Sequence, residues 1–147
     1  MAMDRADRIW NRACDAAGED ETADVGRAGA KSRREGDRAL TAMVMADGLV
    51  QNGGVLHAVE SLEPSETETA CKAFEYYGLR PAAEVLRRAA REVAEGDENR
   101  LAEVEEELNE AYWAAVSIED GTLEAAFREH LRDGPEAYAP VDDVDIV

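Results

Sequence analysis

Glu103, Glu106, Glu107 and Glu110 recur at intervals of three and four, the spacing that stacks side chains on one face of a helix. Carboxylates held that way have Cβ atoms roughly 5–6 Å apart, a spacing that a phosphate-reading surface can accept. The chemistry on offer is electrostatic recognition of a basic partner. Glu119, Asp120 and Glu124 extend the array, while Glu105 flanks the apolar side of the same helix. Glu98 to Val147 carries 15 acidic residues against three arginines, whereas Met1 to Asp97 has 19 against 13 basic residues. The C-terminal third therefore supplies most of the net charge of −18.

Residues suited to catalysis are sparse. His57 and Glu60 lie one helical turn apart, but two ligands are too few for a metal site, and His130 is remote in sequence. His130 falls near a helix C-terminus, where a protonated imidazole is favoured by the dipole. No phosphate-binding glycine loop, nucleophile elbow or metalloprotease motif occurs. The expectation is a non-enzymatic protein with no cofactor and no metal. Asp47 is the exception to the core pattern, since it shares a face with Leu40, Met43, Val44 and Val50. A carboxylate there needs hydrogen bonds or a cation. Backbone N–H groups of the following turn, or an arginine, are the expected partners; the functional alternative is a buried acid lining a small pocket. An enzyme would need a concave pocket around Asp47 and His57.

The strong negative charge disfavours direct contact with nucleic acid or an anionic membrane, because like charges repel. No apolar stretch approaches the roughly 18 residues of a membrane span, and the N-terminus lacks an apolar leader core, so a cytoplasmic location is expected. Cys14 and Cys71 form neither a disulfide framework nor a metal spacing and read as reduced packing residues. Only Lys31 and Lys72 among the 16 basic residues are lysine. That bias, with abundant alanine, suits a GC-rich genome or a high-salt cytoplasm, where acidity is an adaptation to solvent.

Every periodic segment reads as helix, which predicts an all-α, compact bundle of about six to seven helices. An N-terminal helix (residues 1–17), with Ala6, Ile9, Trp10, Ala13 and Ala17 on one side, reads as an appendage. Residues 18–37 read as a flexible linker, residues 38–133 as the helical domain and residues 134–147 as an acidic tail. In the domain, Asn52-Gly53-Gly54 stops one helix in left-handed conformations. Ser65 with Glu68 has capping-box spacing, and Pro81 suits a first turn. The acidic helix, about 99–116, packs through Leu101, Val104, Leu108, Ala111, Tyr112 and Ala115. Arg80, Arg87, Arg88 and Arg91 form a basic stretch on the preceding helix, able to meet those glutamates within one chain or, in a homodimer, across two. Asp120-Gly121 turns the chain into a last helix.

Val50-Gln51-Asn52-Gly53-Gly54-Val55-Leu56-His57, following an apolar helix, is similar to the Asn-Gly-Gly turn of a bacterial family built on a domain of unknown function. Ala73-Phe74-Glu75-Tyr76-Tyr77-Gly78-Leu79 and Leu108-Asn109-Glu110-Ala111-Tyr112-Trp113 fit in the same order, so the resemblance spans about residues 38–133. Members continue past the turn with Phe and further aromatics, where Val55, Ala58 and Val59 stand here. The known face of that family is a DNA-mimic protein, whose surface carboxylates occupy the DNA-binding site of a regulatory protein. The resemblance implies an all-helical domain without known enzymatic activity and a basic DNA-binding partner, but it assigns no particular carboxylate. A scaffold or immunity-type protein is the alternative, with Trp113, Tyr76 or Tyr138 as apolar anchors and the acidity serving solvation alone.

Overall fold

Helix ends in this chain fall where backbone chemistry terminates them. The computed structural model describes residues 4–19 and 34–141. Its helices are α1 (Arg5–Glu19), α2 (Glu35–Gly53), α3 (Val55–Ser61), α4 (Pro64–Tyr76), α5 (Arg80–Glu95), α6 (Glu98–Ala115) and α7 (Thr122–Asp133), followed by a 3-10 turn at Pro135–Ala137. Among the described residues there is no strand, so the fold is all-α. None of these helices is long and apolar enough to cross a membrane.

Each long helix buries one stripe. Leu40, Met43, Ala46 and Val50 of α2 meet Ala70, Ala73 and Phe74 of α4, Ala82, Leu86 and Ala89 of α5, and Val104, Leu108 and Tyr112 of α6 in a single core. The alanines allow close approach, and α2, α4, α5 and α6 pack in succession with α3 wedged against α2, α5 and α6. Asp97 caps α6 by accepting the N–H groups of Asn99 and Arg100, which satisfies two donors that a helix start leaves unpaired. The α4 cap lies two residues earlier than its sequence spacing suggests. Pro64 opens the helix with a preset φ, and Glu66, not Glu68, reaches back to accept the Glu63 N–H at 2.8 Å. Ser65 is inside the helix, where its carbonyl accepts from the Thr69 hydroxyl.

The Asn-Gly-Gly turn is also more economical than expected. Asn52 and Gly53 complete α2, and only Gly54 has a positive φ, at +97° with an extended ψ. A Cβ at Gly54 would stand 3.1 Å from the Asn109 Oδ1. That oxygen accepts the Val55 N–H at 2.8 Å and so secures the start of α3. Two separated sequence motifs are therefore one packing unit, in which α6 holds the turn between α2 and α3.

Both ends of the chain depart from the sequence reading. Helix α1 is part of the core, not an appendage: Ala6, Ile9, Ala13 and Ala16 are buried, whereas Trp10 and Ala17 are half-buried. Helix α2 begins at Glu35, inside the segment read as linker, and Gly36 and Asp37 are buried; residues 20–33 of that segment lie outside the described residues. The first part of the tail is a packed strap, with Tyr138 and Ala139 buried, while residues 142–147 lie outside the described residues. Arg5 donates to the Pro135 and Tyr138 carbonyls, Arg12 to those of Ala139 and Pro140, and Arg34 to those of Glu136 and Tyr138. Periodicity carries no sign of such contacts, because they join residues more than a hundred positions apart.

Candidate functional site

Helix α6 lies at one side of the bundle, against α5 and α3, and turns its glutamates outward. At about 100° per residue, the buried Val104, Leu108 and Tyr112 leave Glu103, Glu106, Glu107 and Glu110 on the opposite arc, and all four are exposed. Arg88 donates to Glu107 at 2.9 Å, a hydrogen bond that holds the Glu107 carboxyl below its ordinary range. Arg87 turns the other way, forking between Glu68 and Glu75 of α4, and Arg100 pairs with Glu92. Among the described residues no basic side chain forms an ion pair with Glu103, Glu106 or Glu110. Two ion pairs thus close the rim between α5 and α6, Arg88 with Glu107 and Arg100 with Glu92, and the outer carboxylates remain available.

Glu119 and Asp120 are exposed in the turn after α6, and Glu124 is exposed in the first turn of α7, where it accepts from Arg128 at 3.1 Å. Arg128 also reaches Asp4 and Asp7, so it fastens α7 to α1. The turn itself is internally tied. Ser117 N–H donates to Thr122 Oγ1, Asp120 N–H to Ser117 Oγ, and Thr122 N–H to the Ser117 carbonyl.

Asp47 is buried, as its place in the core pattern requires, but its partners are not the expected ones. Tyr112 Oη donates to one carboxylate oxygen at 2.6 Å, and Gln51 Nε2 donates to the other. The turn amides go elsewhere: Gly54 N–H bonds the Val50 carbonyl and Val55 N–H bonds Asn109. A cleft of about 160 Å³ opens beside Asp47. Its walls include Trp10, Gln51, Ile118, Thr122 and Glu124, while His57 is not among them. Ile118 is 61% exposed, the large apolar side chain most open to solvent among the described residues. Sequence reasoning missed it. The available signal was an isoleucine inside a Ser-Ile-Glu-Asp-Gly turn, where no periodic face calls for an aliphatic residue.

The proposed aromatic anchors separate. Tyr138 is wholly buried and cannot contact a partner; Tyr76 and Trp113 are half-buried against the core. His130 lies in the last turn of α7, as expected, and its ring also joins an aromatic cluster. Its Nδ1 lies 3.0 Å from Tyr138 Oη and its ring 4.4 Å from that of Tyr76. His57 packs over Gly53, where a Cβ would stand 2.6 Å from the imidazole. Cys71 is a packing residue whose thiol is pushed up to about 11 by burial. Among the described residues no cluster of three or more His, Cys, Asp or Glu side chains is placed to share a metal ion.

Burial raises the hydroxyls of Tyr77, Tyr112 and Tyr138 above the phenol's ordinary 10.0, helped at Tyr112 by the Asp47 carboxylate. The folded chain keeps these protons where the unfolded chain loses them. Their stabilisation is therefore complete below about pH 10 and drains away as pH rises beyond it. Denaturant titrations from about pH 8 to about pH 12 should show a steep alkaline limb, and Tyr112→Phe should make it shallower. A limb unchanged by that substitution would remove Tyr112 from the linkage.

A family model described as DMP19-like protein matches residues 32–132. No curated protein and no solved structure matches the chain.

Proposed function

The chain belongs to the DMP19-like protein family, and from that premise we propose a non-enzymatic protein-binding module that acts by DNA mimicry. Its α6 glutamate face occupies the DNA-binding surface of a basic nucleic-acid-binding protein. The supporting observation is that Glu103, Glu106 and Glu110 are exposed on a helix fixed by its own buried stripe. Rigid carboxylates one turn apart present charge at a spacing that phosphate-binding arginines and lysines can meet without first ordering the ligand. The turn acids Glu119, Asp120 and Glu124 continue that charge beyond the helix, and Glu107 joins it when Arg88 lets go.

Such binding is steered by charge and weakens as salt shortens the screening length from about 10 Å at 0.1 M to about 3 Å at 1 M. Immobilised protein should capture a DNA-binding protein from host lysate at low salt and release it to duplex DNA or to high salt. A Glu103→Lys/Glu106→Lys/Glu110→Lys variant should lose that capture while keeping its melting temperature, since exposed substitutions usually change stability by within about 0.5 kcal/mol. Equal capture by both forms, unaffected by DNA, would overturn mimicry and return the acidity to solvation.

A further inference from the structure

The cleft beside Asp47 has a composition that the α6 face does not explain. Its floor includes a carboxylate only 7% exposed, whose hydrogen bonds come from two neutral donors, Tyr112 and Gln51. Among the described residues no cation forms an ion pair with it. A carboxylate has room for about four hydrogen bonds, so acceptor capacity remains on a residue that lines the cleft. Burying a charge with only neutral partners is costly, and an ion pair formed in place relieves part of that cost. The walls supply an indole from Trp10 and an exposed aliphatic chain from Ile118, and Glu124 stands at the rim. At about 160 Å³ the space falls below the roughly 300–1,000 Å³ of typical small-molecule sites. It fits one elongated side chain.

We propose that this cleft is a socket for a single arginine side chain of the partner, the guanidinium pairing with Asp47 while its stem lies between Trp10 and Ile118. Arginine is favoured over lysine because its planar fork engages a carboxylate at two points and stacks on an aromatic face. The hydrogen bonds within the turn from Ser117 to Thr122 hold the Ile118 side of the socket in place before binding, which lowers the ordering cost. The inference rests on the basic partner of the preceding reading and adds a point contact at the far end of α6 that fixes register as well as charge.

The test is an NMR titration of the full chain with N-acetyl-arginine amide, with the neutral isostere N-acetyl-citrulline amide in parallel. Saturable shifts confined to Gln51, Ile118 and Thr122, seen with arginine alone, are the expected result. Asp47→Asn keeps an acceptor for Tyr112 and should weaken binding at least about tenfold, the loss of a charge-assisted pair. Equal shifts with citrulline, or unchanged affinity in Asp47→Asn, would overturn the socket. Should Asp47→Asn fail to fold, Ile118→Ala gives the reading, because that exposed side chain walls the stem: weaker arginine binding supports the socket and unchanged binding refutes it. The triple α6 lysine variant should still bind the arginine amide. Failure of the socket and failure of the α6 mimic are thereby read separately, one from the titration and the other from partner capture.

Discussion

Replacing Tyr138 by alanine should lower the unfolding free energy by about 3–5 kcal/mol, the range for emptying a buried aromatic site. The ring is fully buried, 5.5 Å from Phe127 and 5.7 Å from His130, with edge-on geometry in both contacts. Its hydroxyl lies 2.9 Å from Tyr77 Oη and 3.0 Å from His130 Nδ1. Truncation removes the ring and leaves the imidazole without that partner. Tyr77 still donates to the Gly36 carbonyl at 3.1 Å, so the loss is chiefly of packing. Tyr138→Phe, which keeps the ring, should cost only about 1 kcal/mol. Denaturant unfolding of both variants checks this, and equal losses would mean that the hydroxyl network, not the ring, fastens the strap. Gly36 belongs to the same contact: a Cβ there would stand 2.7 Å from both the Ala137 carbonyl and the Tyr138 ring, so the strap can dock only over a glycine.

Asp37→Ala should cost about 2–4 kcal/mol, because it strands a buried amide and removes the anion from an ion pair. The Asp37 carboxylate is 4% exposed and is reached by Arg12 at 2.6 Å, with the guanidinium side 29% exposed. Its other oxygen accepts the Arg34 N–H at 3.0 Å and the Ala139 N–H at 2.8 Å. One carboxylate thus joins α1, the start of α2 and the C-terminal strap. Since Asp37 and Tyr138 fasten the same strap, their double variant should lose less than the sum of the single losses. Strict additivity in the unfolding curves would show that the two contacts act on separate units.

The candidate site was legible in part. The outward arc of Glu103, Glu106, Glu107 and Glu110 follows from helical geometry once Val104, Leu108 and Tyr112 are assigned to the core. Asp47 stood out as a carboxylate on an apolar face. What satisfies it did not, since Tyr112 is 65 positions away and any donor of suitable reach would have met the same requirement. A pocket at Asp47 was one reading of that carboxylate, but its shape and the place of Ile118 in its wall were not legible, for a related reason. A cleft is defined by surfaces from α1, α2, the turn and α7 together, and no one segment contains its shape.

By itself the sequence determined the all-α class, the existence of the seven described helices and most of their ends. These depend on interactions between residues one turn apart, on prolines and on glycines, all of which are neighbours in the chain. Only the tertiary structure decided that α1 and the strap belong to the core and that Asp47 opens onto a cleft. It also decided that Tyr138 is a structural ring rather than an anchor. Those outcomes depend on pairs such as Arg12 with Ala139, 127 positions apart, whose meeting is set by the packing of every helix between them.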